Sequence, residues 1–101
     1  MSTLHTVNKS PFENNSLTSC LQLCSGEDSI LLIEDGTYGG CESSPCREPL
    51  TRLMEDGINV YVLENDASAR GLHTFLQGVE LVDYPGFVKL SCTHQCIQSW
   101  Y

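Results

Sequence analysis

The chain has 101 residues, of which 41% are hydrophobic and 18% charged, and its formal net charge is −8 at pH 7. A chain of this length is one domain, residues 1–101, that buries about two-thirds of its unfolded surface and so folds alone with little to spare. The acidity excludes direct binding to nucleic acid or an anionic membrane surface, both of which need clustered cations, and no apolar run approaches the ~20 residues that span a bilayer.

Met1-Ser2-Thr3 lead almost directly into a strand, without a basic n-region, an apolar h-region or a cleavage site, so cytoplasmic residence is expected. In that compartment the six cysteines read as reduced thiols rather than as a disulfide framework. Leu4-His5-Thr6-Val7 forms a first short strand, broken at Ser10-Pro11. Leu17, Cys20, Leu21 and Cys24 then recur at i, i+3, i+4 and i+7, one stripe of a helix. Asn15 or Ser16 can cap that helix, and Ser25-Gly26 stops it. Ser29 to Glu34 supplies, in Ile30 to Ile33, a continuous apolar run of strand length, suited to a central parallel strand buried on both faces, and Asp35-Gly36 closes it.

Gly36 to Cys46 is rich in turn formers and reads as a loop at the carboxyl end of that strand. Leu50, Leu53 and Met54 support a second helix over residues 48–55, ended by Asp56-Gly57. Ile58 to Leu63 is a third strand, β-branched and aromatic. Asn65 or Asp66 can cap a short helix through Arg70, stopped at Gly71. Val79 to Tyr84 is a fourth strand, Pro85-Gly86 opens a helix through Phe87, Val88 and Leu90, and Ile97 to Trp100 supplies a fifth strand. This alternation predicts an α/β sandwich with a mainly parallel sheet and right-handed crossovers.

Several of these segments together resemble the DsrH/TusB family. They are Leu4 to Phe12, the strand end Leu31 to Gly36, Val60 to Asp66, Ala69-Arg70-Gly71-Leu72, Val82-Asp83-Tyr84 with Phe87 to Leu90, and the closing Gln98-Ser99-Trp100, and they span nearly the whole chain in order. The resemblance implies a three-layer α/β/α sandwich with a five-stranded sheet. It also implies assembly with DsrE/TusD-like and DsrF/TusC-like subunits into a heterohexamer, and cytoplasmic relay of persulfide sulfur to a downstream carrier protein. The destination is either dissimilatory sulfur oxidation or 2-thiouridine in tRNA. A cysteine in the first helix is typical of DsrH proteins, so Cys20 places the chain nearer DsrH and makes sulfur oxidation the expected role, with Cys20 as the sulfur-carrying thiol. The competing reading is a non-catalytic structural subunit of a TusBCD-like complex for tRNA thiolation, and a third is a stand-alone flavodoxin-like small-molecule binder.

A sulfur carrier needs an accessible thiolate of depressed pKa with room for one more atom. Cys20 lies on the same stripe as Leu17 and Leu21, which points it inward, and a neighbouring cation such as Lys9 or Arg70 would have to activate it. Cys24, one turn later on that face, fits either packing or a partner thiol to Cys20. Cys92 and Cys96 flank His94 but do not complete a common zinc spacing, so no metal is expected, and no other cofactor. His5 reads as a satisfied core or interface histidine, Gly36, Gly39 and Gly40 as turn chemistry rather than a nucleotide fingerprint, and Trp100 with Tyr101 as core or subunit contact.

Overall fold

The computed structural model describes residues 2–101 and contains one five-stranded sheet, every strand parallel to its neighbours. The elements run β1 (Thr3–Val7), α1 (Ser16–Leu23), β2 (Ser29–Leu32), a 3-10 helix (Glu34–Gly40), α2 (Arg47–Glu55), β3 (Asn59–Leu63), α3 (Glu64–Ala69), β4 (Glu80–Val82), α4 (Tyr84–Thr93) and β5 (Cys96–Trp100). The strand order is β4-β3-β2-β1-β5. From β1 to β4 the chain steps one strand at a time in a single direction, and right-handed crossovers then place α1, α2 and α3 on one face. Only the last connection returns across the sheet, so α4 falls on the other face.

The burial pattern follows from that asymmetry. Val7, Ile30, Leu32, Val60 and Val62 pack beneath Leu17, Cys20 and Leu21 of α1, Leu50 of α2 and Ala67 of α3 in one apolar core. Opposite them Leu4, Leu31 and Leu63 are also buried, yet α4 has no fully buried residue and leaves Val88 62% exposed. Tyr84 and, on the edge strand β5, Ile97 are likewise exposed. One face of the sheet is packed under three helices, with Leu81 of the edge strand β4 left half-exposed, and the other is thinly covered by one.

β2 is buried at all four positions, as the continuous apolar run predicts, but it ends at Leu32. Beyond it, the segment read as a loop begins as the 3-10 helix, which folds back over the strand ends. Glycine is required there by proximity: a Cβ on Gly36 would lie 2.0 Å from the Val7 carbonyl oxygen. Asn15 takes the N-cap position of α1, one of the two expected. Neither Asn15 nor Ser16 caps through its side chain; instead Asn14 Oδ1 accepts from the Ser16 N–H at 2.7 Å. The fourth helix is longer than the sequence pattern suggests because Asp83 caps it, its Oδ1 accepting from the Gly86 N–H at 2.8 Å, with Pro85 in the first turn.

Candidate functional site

α1 runs back against β1 from the carboxyl end of the sheet to its amino end, so its last turn sits beside the start of β2. Register then decides what meets there. Leu4 is level with Ser29 in the β1–β2 pair, which sets Asp28, one residue before β2, beside Thr3 and His5. Asp28 Oδ1 accepts from the Thr3 N–H at 3.0 Å. Its Oδ2 accepts from the Ser25 N–H at 3.2 Å and from His5 Nε2 at 3.0 Å. Burial opposes the charge on Asp28, but the hydrogen bond from His5 and those from the Ser25 and Thr3 amides outweigh it and hold the carboxyl below the usual carboxylate range.

His5 is closed from its other side by β5. Trp100, level with Val7, lies on the His5 face of the sheet and donates from Nε1 to His5 Nδ1 at 3.0 Å. An indole N–H can only donate, so Nδ1 must accept, and the imidazole proton sits on Nε2, facing Asp28. Both ring nitrogens are therefore engaged. His5 is the satisfied histidine that its strand position suggests, and it has no free lone pair with which to take a proton from a thiol.

Above His5 lie the two thiols of α1. Cys20 is fully buried, at 0% exposure, within the apolar core. Cys24 is half-buried at the C-cap, where the backbone leaves the helix with ψ 136°. The two Sγ atoms are 3.8 Å apart and share a hydrogen bond. That bond, followed by burial and by the negative charges of Cys24 and Asp28, pushes the Cys20 thiol far above its ordinary range. The same bond lowers the Cys24 thiol, against the opposing effects of burial and Asp28. The two shifts run in opposite directions, up for the sealed thiol and down for its neighbour.

The structure thus corrects the expected surroundings of Cys20. It is sealed rather than grooved, and Arg70, one of the two cations named for it, is engaged elsewhere: its Nε pairs with Asp35 Oδ1 at 2.9 Å, and its Nη1 donates to the Asp66 carbonyl. Among the described residues, His5, Cys20 and Cys24 form one set of metal-ligand types whose donor atoms lie within 4.8 Å of one another. A metal there would have to displace either Asp28 or Trp100 from His5. Cys92, His94 and Cys96 are not brought together as a binding set, because His94 is turned toward the Leu90 carbonyl and Ser29 Oγ. Cys41 and Cys46 are buried beside the Thr37 carbonyl and Thr18 Oγ1.

At the other end of the sheet an open cleft of about 390 Å³ is lined by Ser10, Phe12, Glu13, Asp35 and Tyr38. Ligands of open α/β sheets usually sit at that carboxyl edge, but two carboxylates line it here, and the nearby glycines serve close packing. Gly39 and Gly40 press against Leu17 and Val62. The roles of Asp28 and Trp100 were missed from sequence. The available signal was His5 itself, a buried imidazole that needs partners from the strands beside it.

The model of a protein family described as "DsrH like protein" matches residues 9–97. A curated relative named Protein TusB from Yersinia pestis (strain Pestoides F) is 36% identical over 98 residues, covering 96% of this chain and 99% of its own. The Protein TusB of Yersinia pseudotuberculosis serotype O:1b (strain IP 31758) matches to the same extent. Among solved structures, the ychN protein from E. coli superposes with a TM-score of 0.82 at 16% identity, over 98% of this chain and 99% of that one. A protein of unknown function from Methanobacterium thermoautotrophicum gives a TM-score of 0.79 at 14% identity, over 96% and 97%. At those identities the two structures speak to the fold alone.

Proposed function

Because this chain belongs to the DsrH-like family of sulfur relay proteins, we propose that it is the TusB-like subunit of a cytoplasmic relay complex that delivers sulfur toward 2-thiouridine in tRNA. In this reading it completes an assembly with TusC-like and TusD-like subunits, and the TusD-like partner supplies the principal acceptor thiol. The expected role in sulfur oxidation rested on Cys20 as the carrier, and it gives way on two grounds. The relatives matched over nearly their whole length are named TusB, and the full burial of Cys20 is the observation that supports a subunit role without a carrier thiol at that position.

The thin cover on one sheet face supports a partner contact there. Val88, Tyr84 and Ile97 are large apolar side chains left exposed beside buried Leu4 and Leu31. Among the described residues no helix is long and apolar enough to cross a membrane.

The test is co-expression with TusC-like and TusD-like proteins in cells lacking their own TusB-type subunit, with 2-thiouridine in tRNA as the readout. Assembly with both partners and recovery of 2-thiouridine are expected, and Cys20→Ser is expected to leave that recovery unchanged. A chain that elutes alone, or a Cys20→Ser variant that abolishes thiolation, overturns the reading.

A further inference from the structure

The thiol pair at the end of α1 lies on the sheet face opposite α4, away from the apolar surface assigned above to partner contact. We propose that Cys24, with Cys20 as its hydrogen-bond donor, is an auxiliary sulfur acceptor that takes one sulfane sulfur from a persulfide. This rests on the sulfur-relay reading above and deepens it by naming a thiol within this subunit.

Access separates the two cysteines. Cys24 packs against the edge of the core and is partly exposed where the backbone turns out of α1, whereas Cys20 is closed on every side by the core. An incoming persulfide meets Cys24 first and reaches Cys20 only if the helix opens. The sulfurs are 3.8 Å apart, close enough for either thiol to donate to the other, and the full burial of Cys20 favours it as the partner that keeps its proton. The direction of the two pKa shifts agrees with that division. Asp28, the nearest carboxylate, is occupied by Thr3, Ser25 and His5. It supplies no activation, so the Cys20 S–H is the local group that favours a thiolate on Cys24.

The same geometry keeps the sulfur from being lost. The Cys24 N–H bonds the Cys20 carbonyl at 3.1 Å, so the pair is joined by one helical turn. Side chains so spaced have Cβ atoms about 5–6 Å apart, while a disulfide needs about 3.5–4.5 Å. Cys20 can therefore donate a hydrogen bond to Cys24, but closing a disulfide that would expel hydrogen sulfide from a loaded Cys24 requires unwinding the last turn.

Loading is a simple exchange. The Cys24 thiol gives its proton to solvent, and its thiolate attacks the outer sulfur of R–S–S–H. The donor S–S bond breaks, R–S⁻ departs with the electron pair and takes up a proton, and Cys24 becomes Cys24–S–S–H. One sulfane sulfur changes hands with no net oxidation. Unloading to an acceptor thiolate reverses these events and returns a Cys24 thiolate to the Cys20 S–H. In both directions Cys20 is a positioning residue.

The reduced full-length protein is treated with glutathione persulfide and mapped by peptide mass spectrometry. A one-sulfur increment on Cys24 and none on Cys20 is expected. Sulfur confined to Cys92 or Cys96, or found on Cys20, overturns the proposal. Alkylation of Cys24 by iodoacetamide reports the hydrogen bond separately. Cys20→Ala is expected to slow it roughly three- to tenfold near neutral pH and to move its pH profile upward, with Cys20→Ser, which keeps a donor, restoring most of the rate. An unchanged profile in Cys20→Ala removes the role assigned to Cys20. Co-purification with the partner subunits distinguishes the two readings. A chain that assembles but never loads Cys24 keeps its proposed role in the complex and loses this site.

Discussion

Trp100 Nε1 donates to His5 Nδ1 across 3.0 Å, joining the edge strand β5 to the buried face of β1. Because His5 Nε2 is held by Asp28, the indole completes a chain in which each donor has one acceptor. Trp100→Phe keeps an aromatic ring in place but leaves Nδ1 buried without a donor. The expected cost is about 1–3 kcal/mol, read as a lower denaturant midpoint with an unchanged slope. In the unmodified protein nitrogen-15 spectra should show His5 protonated at Nε2 alone.

Asp28 links the same group to acid stability. Its carboxyl is held below the usual range in the fold, and its unfolded value is about 3.9. A depressed folded pKa contributes stability that is present above the unfolded value and is lost as pH falls through the folded one. Asp28→Asn should flatten that acid-side loss. Near neutral pH the variant is also weaker by about 1–3 kcal/mol, since either amide orientation turns its NH₂ toward an N–H donor that the carboxylate had accepted. Urea titrations across the acid range check both, and parallel curves for the two proteins would contradict the role given to Asp28.

Gly36 tests how closely the 3-10 helix lies on the strand ends. The Cβ of an alanine there would stand 2.0 Å from the Val7 oxygen and 2.8 Å from its carbonyl carbon. Both are backbone atoms, and the same oxygen accepts the Ile33 N–H at 3.0 Å. Gly36→Ala should cost about 4 kcal/mol or more, seen as loss of soluble protein. Gly26, at φ +58° with open space around it, is the comparison; Gly26→Ala meets only the left-handed backbone penalty and should cost about 1–2 kcal/mol.

These residues also indicate what could be read in advance. β2 was legible because Ile30 to Ile33 is apolar without interruption, and so short a run suits a strand covered on both sides. Its central place in a parallel sheet, and the helix–strand order around it, follow from that run and from chain alternation. The 3-10 helix was not legible, since Gly36, Gly39 and Gly40 read equally as turn formers, and only the approach to Val7, Leu17 and Val62 shows why small residues are needed. Cys20 was recognised as inward-facing from its stripe, but spacing does not show whether a stripe meets a groove or a core. The hydrogen-bonded chain of Asp28, His5 and Trp100 depends on the register of three strands and leaves no local pattern.

The exposed apolar residues separate assembly from stability. Val88 lies on the outer side of α4 at 62% exposure, and Ile97 is 52% exposed on β5. Val88→Asp removes little packing in the isolated chain, so its stability should stay within about 0.5 kcal/mol of the parent. At a subunit contact the same carboxylate is desolvated without a partner, which costs several kcal/mol and should lower recovery with TusC-like and TusD-like subunits by at least about tenfold. Leu31→Ala is the converse control: Leu31 is fully buried on that face, so its loss weakens the fold by about 2–5 kcal/mol without altering the surface. If Val88→Asp assembles as well as the parent while Leu31→Ala behaves as expected, the α4 side of the sheet is not the subunit contact, and the partners must meet another surface.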